Sequence, residues 1–411
     1  MFRAAARYLP PSLENSWERA AFLLLAGSVS LVLVSIAASQ ILLAGAILAA
    51  LAPRKRHSPI AALPWAIALP AILLFGWTVL AVLVNSGSPD AAMIKKFFLF
   101  SLLVLVPRIA AGHDKSAWIY RSVFAVAAVS SLAGVIQFVA NPERDALHRI
   151  QGFLSIWMTY SGSLMLVLVA LVAFAATVGW KRQPWVIPLG IVMLAALYLS
   201  QTRSAWLGVC AGACVILLLK KPRALIALPL LLLALYLASP ARIQQRLVSA
   251  WNPADDNTRN RIELFGTALR LIRDHPWIGV GQNVSRVAPA YRGTPEFPDW
   301  MYLHLHNNFL QVAAERGIPG LLLWIWFMAQ LGWHAFRACR ASPDCGVNGK
   351  QAPSASAAFV AAAAVGGWVA MLVAGMFEYN YGDSEVLTMF LFMMSAPLAF
   401  PAGSRAPSDV P

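Results

Sequence analysis

The chain has 411 residues, 59% of them hydrophobic and 12% charged, with a mean hydropathy of +0.65. Water-soluble domains carry roughly 25% charged residues, so the composition excludes that class and describes a polytopic membrane protein. The formal net charge of +14 matches a polybasic cytoplasmic face, and no nucleic-acid partner is expected.

In chain order, residues 1–15 are basic and contain Pro10-Pro11, and no small-residue cleavage site follows the first apolar run. That run is therefore expected to be a retained anchor and not a signal peptide. A spanning helix needs roughly 20 mainly apolar residues, and the sequence divides into about twelve such segments on that criterion. The first two, 20–37 and 40–52, lead to Pro53-Arg54-Lys55-Arg56-His57, a cluster that marks the cytoplasm. The third, 60–84, ends outside at the turn-rich Asn85-Ser86-Gly87-Ser88-Pro89. The fourth, 97–111, returns inward, which leaves Lys95 and Lys96 on the side that positive charge normally avoids. The fifth ends at Ala140, the sixth covers 160–180, and the seventh covers 185–200. Gln201-Thr202-Arg203-Ser204 then leads almost without a loop into the eighth, which ends at Lys220-Lys221-Pro222-Arg223. The ninth, 224–239, opens onto a long polar interval, and spans 321–333, 357–377 and a last one close the chain. The expected architecture is thus all-α: spans one to nine in 1–240, a partly helical external loop over 241–320, three more spans in 321–400 and a tail over 401–411. Both termini are then cytoplasmic.

The interval 241–320 holds Arg242, Arg246, Arg259, Arg261, Arg270, Arg273, Arg286, Arg292 and Arg316 and no lysine. Long loops cross regardless of charge, so these arginines sit outside for a reason other than orientation. Arginine presents a planar donor fork that clasps phosphate bidentately, which a lysine point charge does not. Residues 258–275 have helical spacing, with Ile262, Phe265, Leu269 and Ile272 as the expected apolar face and Asn260 with Glu263 as the expected cap. Arg259 and Arg261 then lie near the helix N-terminus, where the dipole disfavours a cation unless an anion completes the site. Arg270 and Arg273, near the other end, are explained by the same dipole.

Arg203 has no loop to hold it in water. Ionisable groups at such depth face a cavity or a partner, snorkelling to the headgroups being the plainer alternative. His304 and His306 would share one side of an extended segment, though not of a helix, which on spacing alone leaves a shared metal open, and Asn308 with Gln311 is the expected cap of the next helix. A histidine beside a helix N-terminus tends to be neutral, the form a general base needs. Neither a carboxylate nor a third histidine stands at a spacing that would finish a zinc site, and no metal is expected. The four cysteines, Cys210, Cys214, Cys339 and Cys345, all lie outside 241–320, against a disulfide framework or thiolate site. Asp383 and Glu385, in the last external loop, have the chemistry to bind a sugar or assist proton transfer, with ordinary solvated loop charges as the plainer alternative.

Thr202-Arg203-Ser204, Asn260-Arg261-Ile262-Glu263-Leu264-Phe265, His275-Pro276-Trp277-Ile278-Gly279-Val280-Gly281 and His306-Asn307-Asn308-Phe309-Leu310-Gln311, with Glu315, Gly317 and Gly320, follow one another in order. Together with Arg149-Ile150-Gln151-Gly152-Phe153 they resemble the signature of the O-antigen ligase and polymerase superfamily. The resemblance implies a glycosyltransferase-C-like membrane fold in the inner membrane of a Gram-negative bacterium, with a periplasmic active site. It implies transfer of a glycan from undecaprenyl diphosphate to an acceptor hydroxyl, with inversion and without metal, nucleotide or other cofactor. Arg203 and Arg261 match the arginines that hold the diphosphate, and His306 matches the histidine that activates the acceptor. Arg149, Arg259, His304 and Asp383 are further candidates for substrate contact. Length and span count point to a ligase acting on lipid A-core, ahead of a polymerase or a protein O-oligosaccharyltransferase. Of a different class is a lipid-diphosphate flippase, but the internal repeats and midplane sites usual in transporters are not evident.

Overall fold

The computed structural model describes residues 16–51, 63–85, 92–141, 149–226, 256–342 and 355–399, with a few positions between 229 and 244. These residues are helical, with no strand among them. Six helices are long and apolar enough to cross a membrane: Trp65–Asn85, Lys115–Ala140, Trp157–Gly179, Arg203–Lys220, Asn308–Ala341 and Ala355–Gly375. Shorter apolar helices cover Ile36–Leu51, Val186–Leu199 and Ser384–Ala399. Half of the expected ninth span lies outside the described residues, as do Arg242 and Arg246.

α1 (Ser16–Leu31) and α2 (Ile36–Leu51) form an antiparallel hairpin. α3 (Trp65–Asn85) is followed by a segmented helix that ends in α4 (Leu102–Ile109), and α5 (His113–Ala140) is the longest unbroken helix. The bundle is centred on α6 (Trp157–Phe174), α8 (Arg203–Lys220) and α11 (Ala355–Gly375), while α7 (Val186–Leu199) packs on α5 and α6. Within lipid there is no water to drive helices together, so small residues that allow close backbone approach take over that role. α8 and α11 show this directly: Gly208 lies against Ala370 and Ala374, and Gly212 against Gly366. Position rises along one helix as it falls along the other, so the pair is antiparallel and the start of α8 lies level with the end of α11.

α9 (Asp256–Asp274) lies in the arginine-rich interval, and α10 (Asn308–Ala341) follows it. α10 breaks at Gly317, where φ is +69°, and Pro319 follows. A side chain at Gly317 would run into the Trp277 carbonyl, so the break is also where the preceding loop meets the helix backbone to backbone. Val280 N–H donates to the Ala314 carbonyl at 2.8 Å and Ile318 N–H to the Pro276 carbonyl at 2.7 Å. Backbone groups freed inside a membrane helix need new partners, and Trp77 Nε1 of α3 donates to the Arg316 carbonyl at 2.8 Å.

The interval 256–307 and the first turns of α10 share a small core separate from the bundle. Leu264, Ala268 and Leu271 of α9 pack on Val280, Val284, Ala288, Phe297, Met301, Tyr302, Leu305 and Ala314. Burying a leucine fully contributes about 1.5–3 kcal/mol, enough to fix α9 over one end of the bundle. Of the apolar face read from the spacing, Ile272 packs on this core while Ile262, Phe265 and Leu269 are exposed, and a second stripe is the one buried. Both stripes repeat at helical spacing, so periodicity alone could not choose between them.

Several helix ends meet beside this cap. Asn283 Nδ2 donates to the Asn85 carbonyl at the end of α3, and Gln137 near the end of α5 clamps Gly152 just before α6. Lys96 Nζ donates to the Gly382 carbonyl at 2.5 Å, in the loop between α11 and α12 (Ser384–Ser395). The misplaced lysine of the sequence is thus a strut for that loop. At the opposite end of the bundle Lys220 Nζ donates to the carbonyls of Cys339 and Ser342. Cys339 is therefore a buried residue of α10.

Candidate active site

His304, His306 and the helix after them are held by one capping arrangement. The cap is Asn307, one residue earlier than expected: its Oδ1 accepts from the N–H groups of Phe309 at 2.8 Å and Leu310 at 3.0 Å. Its Nδ2 donates to the Met376 carbonyl at 2.8 Å, which ties the segment to the loop after α11. Asn308 is already helical and buried, donating to Asn380 Oδ1 at 2.7 Å and accepting from Tyr381 N–H at 3.0 Å. Gln311 accepts from Leu305 N–H and donates to Glu315. Beneath it lies a buried ion pair of Glu315 with Arg316, extended by Thr78 and Tyr379. Arg316 is thereby a structural residue of the bundle.

His306 has φ +46°, a left-handed conformation that few non-glycine residues adopt. Among the described residues, the other non-glycine residue with positive φ is Gln201, at +53°, two positions before Arg203. Backbone strain of this kind persists where surrounding contacts over-determine it, and it clusters at functional sites.

The residue that completes the site is Glu378, directly beyond α11 and buried. Its Oε1 lies 3.0 Å from His306 Nδ1 and 3.9 Å from His304 Nδ1, and it accepts from Tyr379 N–H at 3.1 Å. The two imidazole rings are 4.0 Å apart, centroid to centroid, so they do share one side of the segment. Burial alone would push the Glu378 carboxyl up. The His306 hydrogen bond and charge, with His304 and Arg261, outweigh it and hold the group down to about 2. His304 moves the opposite way from the usual salt-bridged histidine: burial, then neighbouring His306, pulls it down to about 4 despite Glu378. It is therefore neutral at physiological pH, and its Nδ1 makes no hydrogen bond among the described residues.

Arg261 projects from the second turn of α9, exposed, with its guanidinium 6.0 Å from the Phe377 ring centre and close enough to Glu378 to feel its charge. Arg203 opens α8 at the same end of the bundle, level with the end of α11. Arg149 stacks 5.3 Å over Trp157 at the start of α6. Asp383 accepts from Thr159 Oγ1 at 3.1 Å. Burial, then the charge of Glu378, raises its carboxyl to about 7. The structure therefore gathers Arg203, Arg261, His304, His306, Arg149 and Asp383 at one end. Arg259 instead lies over Phe297 at 5.4 Å, on the cap.

The expected capping pair of α9 does not form. The helix already starts at Asp256, and Glu263 accepts from Gly293 N–H, Thr267, Thr294 and Arg270, bracing the cap against its own loop. Burial pushes the Glu263 carboxyl up, but these donors prevail and hold it below its ordinary value. Glu378, for its part, has no spacing that links it to His306 in sequence. The available signal was a carboxylate at the very end of an apolar span, the place where an ionisable group needs a partner.

With His304, His306 and Glu378 offering ligand atoms within 4.8 Å of one another, the cluster has the donor chemistry of a two-histidine, one-carboxylate metal site as well as that of a histidine–carboxylate dyad. The guanidinium of Arg261 beside it supplies a donor for an anion.

Fold and site together define a multi-pass helical membrane protein with a histidine, carboxylate and arginine site at one end of its bundle. Residues 188–325 match a family model described as O-Antigen ligase, supporting membership of the O-antigen ligase superfamily, a group of glycosyltransferase-like ligases and polymerases. The match takes in Arg203, Arg261, His304 and His306 and ends before Glu378 and Asp383. No curated protein matches the chain.

Proposed function

We propose that the protein is an O-antigen ligase, transferring a glycan from undecaprenyl diphosphate to a sugar hydroxyl of lipid A-core at the periplasmic face of the inner membrane. The observation that carries this reading is the convergence of Arg261 on the His306–Glu378 pair. A transferase of this kind needs a base for a hydroxyl and a counter-charge for a leaving diphosphate, and these residues have that chemistry.

In the proposed reaction the acceptor oxygen attacks the anomeric carbon and its proton passes to the His306 imidazole. The bond from that carbon to the diphosphate oxygen breaks, and undecaprenyl diphosphate leaves with the electron pair. One displacement inverts the anomeric centre. Arg261 and Arg203 hydrogen-bond the diphosphate as its charge grows, a contribution that is largest in the transition state.

A deletion strain tests the reading through its lipopolysaccharide banding. Unattached long glycan with bare core is expected. Core bearing a single repeat would make the protein a polymerase, and unchanged lipopolysaccharide would overturn both assignments.

A further inference from the structure

We infer that Glu378 is a positioning residue that holds His306 in the tautomer and orientation of a general base. The inference rests on the reading of His306 as that base. His306 Nδ1 lies 3.0 Å from Glu378 Oε1, and an ionised carboxylate has no proton to give, so Nδ1 carries the hydrogen. The tautomer is then fixed with Nε2 as the free acceptor.

Three features make the arrangement a built one. Glu378 is buried at the end of α11, where Asn307 ties the histidine segment to Met376 two residues before it. His306 is kept at φ +46°, a conformation that sets the ring against the carboxylate and needs outside support. His304 packs against His306 with ring centres 4.0 Å apart, but its Nδ1 stays 3.9 Å from the same oxygen, too far to compete for it as a hydrogen-bond partner. The groups whose charge reaches the pair are Asp383 from the loop before α12, His304 from the segment itself and Arg261 from α9.

The test is steady-state ligation by purified full-length protein with undecaprenyl-diphosphate-linked O-antigen and lipid A-core. Glu378→Gln should lower kcat on the order of 100-fold and leave the KM for donor within about twofold, the pattern of an interaction realised in the transition state. Glu378→Asp should recover part of the rate. Adding Glu378→Gln to His306→Ala should cost nothing further, since residues acting as a unit are not additive; an added loss would mean a merely structural role and overturn the assignment. Wild-type kcat in Glu378→Gln, with His306→Ala strongly impaired, would overturn the role of Glu378 alone. Wild-type kcat in His306→Ala would instead overturn the base reading beneath it. Loss of wild-type activity in chelator, restored by zinc or manganese, would make the three residues metal ligands and overturn the inference.

Discussion

The arginine-rich cap over 256–307 and the short loop over 376–383 face each other across the site, and they use their charges in opposite ways. The cap is long and basic, and two of its arginines hold the cap together. Arg270 bonds the Tyr291 carbonyl and Glu263, and Arg292 bonds Asp299 and the carbonyls of Pro289 and Phe297. The loop has few charges but shields them from water: Glu378 is buried and held down to about 2, and the half-buried Asp383 is raised to about 7. The number of charges in a segment is thus a poor guide to function, and the degree of burial and the partner across the gap are better ones. Arg261 stands out in the cap because it faces the loop.

Arg261→Ala sharpens the contrast most. It should lower kcat for ligation by about 100-fold or more, the usual cost of removing a donor aimed at developing negative charge, with normal membrane insertion. Activity near wild type would mean that the cap contributes packing alone.

Asp383→Asn probes the loop. An unfolded aspartate titrates near 4, and in the folded protein Asp383 titrates at about 7. Between those values the unfolded chain has lost its proton while the folded one keeps it, so stability falls as pH rises across the window and stays lower above it. The variant keeps an acceptor for Thr159 and has nothing to ionise. Its Tm should exceed that of the wild type at pH 8, with the gap closing towards pH 4; an equal difference at both would break the assignment.

The smallest effect belongs to Arg270→Ala. This exposed arginine pairs with Glu263 at 3.4 Å, and exposed pairs contribute about 0.2–1 kcal/mol. Tm should fall by a degree or two and ligation should stay within about twofold. A loss as large as that of Arg261→Ala would erase the distinction between structural and site arginines.

Much of the bundle was legible in advance because a membrane span leaves a coarse signal, a long apolar run. The sixth, seventh, eighth and eleventh spans fall within a few residues of α6, α7, α8 and α11. Span ten was less so: its helix begins at Asn308 and bends at Gly317, since the first turns belong to the cap core through Ala314. The cap of that helix was missed by one residue, Asn307 for Asn308, because two adjacent asparagines carry the same local propensity.

The sequence by itself determined the apolar, all-helical class and marked His306, Arg203 and Arg261 as residues of interest, because composition, hydropathy and short motifs are local properties. Tertiary structure alone decided that Glu378, 72 positions from His306, lies against it, and that Arg261 faces the pair while Arg270 does not. These are contacts between distant parts of the chain. They are set by how small residues let α8 and α11 approach and by how α9 docks its leucines, and no spacing along one segment encodes them.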